Sequence, residues 1–273
     1  MKPVRFEDAR DEARFGGKAV KLGEARARGL PTPPGYALDV DLVDAIVAGD
    51  AAAIAAVTPI FHELGPRVAV RSSAVGEDSE RASFAGQHLT VLNVESVASM
   101  LEAVHAVRAS AHTDAARGYR EKHGLEGGPR IAVAVQTLIR SEIAGVLFTR
   151  HPMTGADERV IEAAWGLGEA IVAGLVVPDT YRIARSGEVL ERIAGDKDIE
   201  LLPAPDGGTT EVEVDPERAT ALCLDDAKLA QLHALALDCE RHHGMGLDIE
   251  WAFAHGAPHL LQCRAITTKT AGR

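Results

Sequence analysis

"LDIEWAFAHGAPHLLQCRAIT", residues 247–267, alternates apolar and polar side chains, turns at a glycine and a proline, and alternates again. Two runs of period-2 alternation around a short turn read as an antiparallel hairpin with one buried face. Ile249, Trp251 and Phe253 share one face, leaving Asp248 and Glu250 on the other. On the returning strand Leu261, Cys263 and Ala265 form an apolar face, and Gln262 and Arg264 share the opposite face with Leu260. A loop of His255, Gly256 and Ala257 sets Glu250 opposite Gln262 and Asp248 opposite Arg264. Glu250 and Gln262 are then oxygen donors of the kind that Mg2+ takes beside phosphate oxygens, and Arg264 offers a fork that fits a phosphate. Asp248 is the weaker ligand candidate. A solvent-facing hairpin with a cross-strand ion pair fits the same residues, and the pattern leaves both readings open.

Upstream, "VAVRSSAVGEDSERASFAGQ", residues 68–87, opens as a strand with Val68 and Val70 on one face and Ala69 and Arg71 on the other. Arg71 therefore points away from the core, beside a loop whose Ser72, Ser73, Gly76 and Gly86 offer hydroxyls and close main-chain approach. An anion such as a phosphate suits that group, as does an ordinary surface arginine. In "FGGKAVKLG" the Gly-Gly-Lys lacks the full P-loop pattern. It puts Lys18 in the first turn of a helix, where free N–H groups favour an anion, or simply leaves a solvated lysine. In "WGLGEAIVAG", Gly166 and Gly168 serve a ligand or a turn equally well. Patterns for a serine nucleophile elbow, a zinc protease or metal-spaced Cys/His sets are absent.

Helical patterns precede the Val68 strand, and residues 95–122 read as helix. "HGLEGGPR" then breaks the chain, with strand-like "IAVAVQTLI" and "AGVLFTR" following, and a helix over about residues 225–243 precedes the closing hairpin. Mixed strands and helices without a regular βαβ repeat indicate α+β lobes, divided near residue 138. The 273 residues suffice for two cores. With 29 Lys and Arg against 40 Asp and Glu, the net charge is −11 and no basic block stands out, so nucleic acid and anionic membrane are poor partners. A nucleotide remains compatible if a few cations converge with a divalent metal. Mean hydropathy is near zero. Three separated cysteines and a charged start without an apolar run indicate a cytoplasmic protein.

Five segments, "GGKAVKLGEARARGLPTPPGYAL", "VAVRSSAVGEDSERASFAGQHLTVLNV", "GVLFTRHPMTG", "AWGLGEAIVAGLVVPDTY" and "DIEWAF…HLLQCRAIT", together resemble the nucleotide-binding domain shared by phosphoenolpyruvate synthase, pyruvate phosphate dikinase and rifampicin phosphotransferase. The resemblance implies an α+β ATP-grasp fold in which two α+β lobes, residues 1–138 and 139–273, bind ATP and Mg2+ in the cleft between them. It implies phosphate contacts for Lys18, Arg71, Gly86 and Thr90, an adenine contact for Gln136, and a ribose or hinge contact for Glu162. Glu250 and Gln262 become metal ligands and Arg264 a phosphate ligand, with Lys18, Arg71 and Arg264 carrying catalysis by positioning and charge neutralisation.

The implied activity cleaves ATP to AMP and phosphate and phosphorylates a histidine on a separate swivelling domain. Neither a histidine motif like G-G-x-x-S-H nor an acceptor-binding domain occurs in this sequence. The expected partner is therefore a chain or domain that carries both, whether this chain stands alone or is part of a longer protein. A non-catalytic nucleotide-binding regulator would keep Lys18, Arg71 and Glu250 for binding alone. An ATP-grasp ligase would release ADP through an acyl phosphate.

Overall fold

The computed structural model describes residues 1–74, 89–113, 130–244 and 246–266. The chain divides into two compact units. The first comprises Met1–Arg28, Pro33–Leu138 and Ala204–Gly208, and the second Gly29–Thr32, Ile139–Pro203 and Thr209–Arg273.

The first unit is built on an antiparallel sheet in the order β1-β2-β5-β3-β4, with β1 Val4–Arg5, β2 Gly35–Leu38, β3 Val68–Ala74, β4 Thr90–Val94 and β5 Ile131–Thr137. Helices α2 (Val40–Val47), α3 (Ala51–Leu64) and α4 (Val97–Ser110) share one core with Val68, Val70, Val133 and Val135. Helix α1 (Glu12–Ala27) covers the other face, with Phe15, Ala19 and Leu22 packed with Phe6, Ala37 and Ala134. Alternation along β3 thus divides Val68 and Val70 from Ala69 and Arg71 as the sequence predicts. Each helix starts where a short polar side chain satisfies a free N–H: Asp11, Asp39 and Asp50 cap α1, α2 and α3, and Ser96 with Ser99 forms a capping box on α4. The predicted helix over residues 95–122 is seen as far as Ser110; residues 114–129 lie outside the described residues.

The second unit carries a six-stranded antiparallel sheet in the order β13-β12-β6-β7-β8-β9. Its strands are β6 Ile143–Phe148, β7 Glu158–Trp165, β8 Asp179–Ala184, β9 Val189–Ile193, β12 Leu247–Ala254 and β13 Ala257–Ala265. A separate hairpin pairs β10 (Ile199–Pro203) with β11 (Thr209–Glu213). Helix α5 (Asp226–His243) buries Leu229, Leu232, Leu235 and Cys239 against one face of the sheet. That face is identified by Cys239 meeting Cys263 and by Glu240 meeting Thr149 and Arg159. Ile249, Trp251 and Phe253 belong to it and are fully buried.

The closing hairpin corrects one expectation. The turn holds only His255 and Gly256, both at positive φ, between paired Ala254 and Ala257. A bulge then absorbs one extra residue, so that Trp251 opposes Leu260 while Glu250 opposes Gln262 and Asp248 opposes Arg264. The site register is the predicted one, reached by a bulge instead of a longer loop. Leu260, predicted to lie with Gln262 and Arg264, is instead fully buried opposite Trp251, and Leu261 is the extra residue at the bulge.

Two consequences are measurable. Gly16 has φ 73° and ψ 164°, and a Cβ there would stand 1.9 Å from the Ser73 carbonyl oxygen. Gly16→Ala should lose at least about 3 kcal/mol of unfolding free energy in urea. Gly29→Ala, at φ 81° with nothing near its Cβ, should lose only about 1 kcal/mol. In the second unit, buried Arg159 donates to Glu240 and, from Nη1, to Nδ1 of His233 at 3.1 Å, with Arg185 on the other oxygen of Glu240. Burial first, then the charges of Arg159 and Arg185, hold the His233 pKa below its usual value, against the opposing pull of Glu240. The neutral imidazole therefore contributes stability that is complete above pH about 6.5 and is lost as the pH falls toward the depressed folded value. His233→Asn keeps an acceptor that does not titrate, and its urea midpoint should fall less than the parent's between pH 7.5 and 5.5 if measured at pH values of about those figures.

Candidate functional site

In the first unit, α1 is interrupted at Gly16, and the helix restarts just before Lys18. Ser73 fixes the restart: its Oγ accepts from Ala19 N at 3.0 Å and donates to Phe15 O at 2.7 Å. Lys18 thereby occupies a first helical turn, as predicted. It is buried to 8% exposure, and its ammonium meets no hydrogen-bond acceptor or carboxylate among the described residues. A cation held at a helix start with no carboxylate beside it suits an anion.

Ser73 lies two residues beyond Arg71 on β3, and both side chains leave on the α1 side of the sheet. Arg71 pairs with Ala134 on β5 and with Thr90 on β4, so Thr90 shares that side. Gln136 opposes Ala69 and joins the same face. It is buried, and its Nε2 lies 3.5 Å from Pro33 O, at the limit of a hydrogen bond. The sheet therefore presents Arg71, Thr90 and Gln136 on the face that α1 and Lys18 occupy. Gly86 and Gly76 lie outside the described residues.

In the second unit the face turned away from α5 carries the remaining predicted residues. Strand register forms one row across four strands: Gln262 on β13, Glu250 on β12, Val146 on β6 and Glu162 on β7. The next row begins with Arg264 and Asp248 and continues through Phe148 and Val160. Arg264 holds Asp248 through Nε at 2.9 Å and Nη2 at 2.7 Å, both to the same Oδ2. Asp248, ranked low from sequence, is thus the residue that orients Arg264. Nothing but the cross-strand pairing could have signalled that role.

Gln262 is buried to 6% exposure, yet its amide makes no hydrogen bond among the described residues. Glu162 is half-buried; burial, and secondarily the charge of Asp248, push its pKa up. Among the described residues no three His, Cys, Asp or Glu side chains are gathered to hold a metal by themselves. A metal here needs Gln262 and outside oxygens, which fits a hard cation that keeps water or phosphate in its shell. Gly166, at φ 74°, is packed so that a Cβ would meet Leu201 O at 2.4 Å, and its carbonyl accepts from Ser141 Oγ. Its open backbone serves that contact.

The profile of the pyruvate phosphate dikinase AMP/ATP-binding domain matches residues 51–273. A probable phosphoenolpyruvate synthase of Methanothermobacter thermautotrophicus is 35% identical over 300 residues, covering 93% of this chain and 44% of that protein. A rifampicin phosphotransferase of Streptomyces sviceus is 39% identical over 217 residues, covering 78% of this chain and 25% of its own length. The chain thus spans less than half the length of these curated relatives. Among solved structures, the D-alanine-D-alanine ligase of Coxiella burnetii gives a TM-score of 0.40 at 15% identity, over 92% of this chain and 48% of that one.

The unpartnered lysine supplies a test independent of turnover. Lys18→Met should leave the melting temperature in anion-free buffer within a few degrees of the parent's. The same variant should lose the thermal stabilisation that inorganic tripolyphosphate gives the parent, measured by differential scanning calorimetry.

Proposed function

The chain belongs to the family of the pyruvate phosphate dikinase AMP/ATP-binding domain, and from that membership we propose that it binds Mg-ATP, splits it to AMP and phosphate, and phosphorylates a histidine carried by a separate domain or chain. The observation that supports this reading best is Lys18: a largely buried lysine at a helix start, with no acceptor or carboxylate on its ammonium among the described residues, suits an anion. Arg71 and Thr90 stand on the same face to meet further phosphate oxygens, and Gln136 offers an amide to an adenine edge. Residue 86 is assigned to the phosphates by family motif alone.

In the second unit, Glu250 and Gln262 are the donors that would hold Mg2+. The ion would neutralise phosphate charge and align the phosphates when bound. Arg264, oriented by Asp248 through one oxygen, is the guanidinium that would meet a phosphate in this unit. Charge building on the transferring group would thus be met by fixed cations, and no side chain need remove a proton from a neutral imidazole acceptor. The acceptor histidine and the final acceptor site belong to sequence that this chain does not contain.

Calorimetric titration of ATP with and without Mg2+, followed by nucleotide analysis in the presence of a histidine-bearing partner, tests the proposal. AMP with a phosphorylated partner is expected. Release of ADP with an acyl phosphate would indicate a ligase, and binding without turnover beside a competent partner would indicate a regulator. Arg264→Ala and Glu250→Ala should each lower turnover by about 10²-fold or more while leaving the melting temperature within a few degrees of the parent. Parent-like turnover in either would remove the hairpin from the active site.

A further inference from the structure

Glu162 is half-buried on the face that also carries Glu250 and Gln262. Among the described residues no lysine, arginine or hydrogen-bond donor meets its carboxylate. Asp248, in the next row of the same face, is another carboxylate. Its neighbours differ in this respect. Asp248 has Arg264 on Oδ2, and in the Arg264 row farther along the sheet Arg182 is held by both Glu158 and Glu191. A half-buried carboxylate with no cation among the described residues either keeps its proton or takes a cation from outside the protein, and the geometry around it favours the second.

The strand register indicates where that cation would sit. Glu162 opposes Val146, Val146 opposes Glu250, and Glu250 opposes Gln262, so all point to one side. Glu162 and Glu250 flank Val146, about 10 Å apart at their Cα atoms by ordinary strand spacing. Two glutamate side chains can lean together over a valine and share one ion at metal–oxygen distances near 2.1 Å. Gln262 supplies the independent sign of a ligand: it is nine-tenths buried on that same face, and its amide finds no partner among the described residues.

The geometry points to Glu162 as a third protein ligand of the divalent cation, joining Glu250 and Gln262 across β7, β12 and β13. This assignment rests on the proposed Mg-ATP site and replaces the ribose or hinge contact expected from the family resemblance. The donor set is two carboxylates and one amide oxygen, with room left for phosphate oxygens and water. That composition selects a hard divalent cation, with Mn2+ as a faithful spectroscopic substitute for Mg2+.

The test uses the full chain and its Glu162→Gln and Glu250→Gln variants. Free Mn2+ is followed by electron paramagnetic resonance with ATP present, and melting curves are recorded in chelator and in Mn2+ without nucleotide. If Glu162 is a ligand, Glu162→Gln weakens Mn2+ binding at least tenfold. In chelator it melts no lower than the parent, since a like-charge contact is removed, and it gains less from Mn2+. Parent-like Mn2+ affinity in Glu162→Gln, with Glu250→Gln impaired, overturns this inference and leaves the proposed site standing. So does a variant that melts lower in chelator, or one that loses only the parent's preference for ATP over 2′-deoxy-ATP. A parent chain that binds neither Mn2+ nor ATP overturns both proposals.

Discussion

Each unit of this protein holds polar groups in partial burial without giving them a partner of its own. Lys18 in the first unit, and Gln262 and Glu162 in the second, are placed where solvation is reduced and no described side chain answers them. Such groups cost the folded state, since each loses hydration without recovering the interaction. They persist only because covalently adjacent, well-packed structure fixes them. Lys18 cannot swing out freely, because Ala19 N is bound to Ser73 Oγ and Phe15 O receives its proton. Gln262 is confined because Cys263 beside it is buried under α5. Scaffold stability is thus exchanged for groups already aimed at a ligand.

The bulge in the closing hairpin shows how narrow that placement is. A two-residue turn between Ala254 and Ala257 dictates that Trp251 opposes Leu260, and a regular ladder would carry the same offset down to Asp248. Gln262 would then face α5 and Cys263 would face the site. Inserting Leu261 as the bulged residue shifts the lower half of β13 by one position, and every side chain below it changes face. The apolar set still closes, because Leu260 above the bulge and Cys263 below it both remain buried. One residue therefore lets a tight turn, a continuous core and the Glu250–Gln262 pairing coexist.

Much of this was legible in the sequence because alternation is a local signal. The faces of Val68 to Arg71 and of Ile249 to Phe253 followed from period 2 alone, and the Glu250–Gln262 register was right. The route to it was not, since a bulge leaves no mark that distinguishes two consecutive leucines, Leu260 and Leu261, as core and bulged. Partners far apart in the chain were illegible for a different reason. Ser73 bonding across to α1, and buried Asp179 joining Lys197, Gly195 and Cys223, depend on tertiary approach that no spacing encodes. Glu162 lay within a plain apolar strand, and only the register across β6 gave it neighbours. Its lack of a cation could be seen only after every nearby side chain had been placed.

The two units also differ in the sign of the charge on these faces. On its α1 side the first unit carries Lys18 and Arg71; on the face turned away from α5 the second carries Glu162 and Glu250 with Gln262, and Arg264 tied to Asp248. In a chain of net charge −11, such local sorting matters more than the total. A face of lysine and arginine suits phosphate oxygens, whereas carboxylates beside an amide oxygen suit a hard divalent cation, so the chemistry of each unit has to be judged from its own face and not from the overall charge.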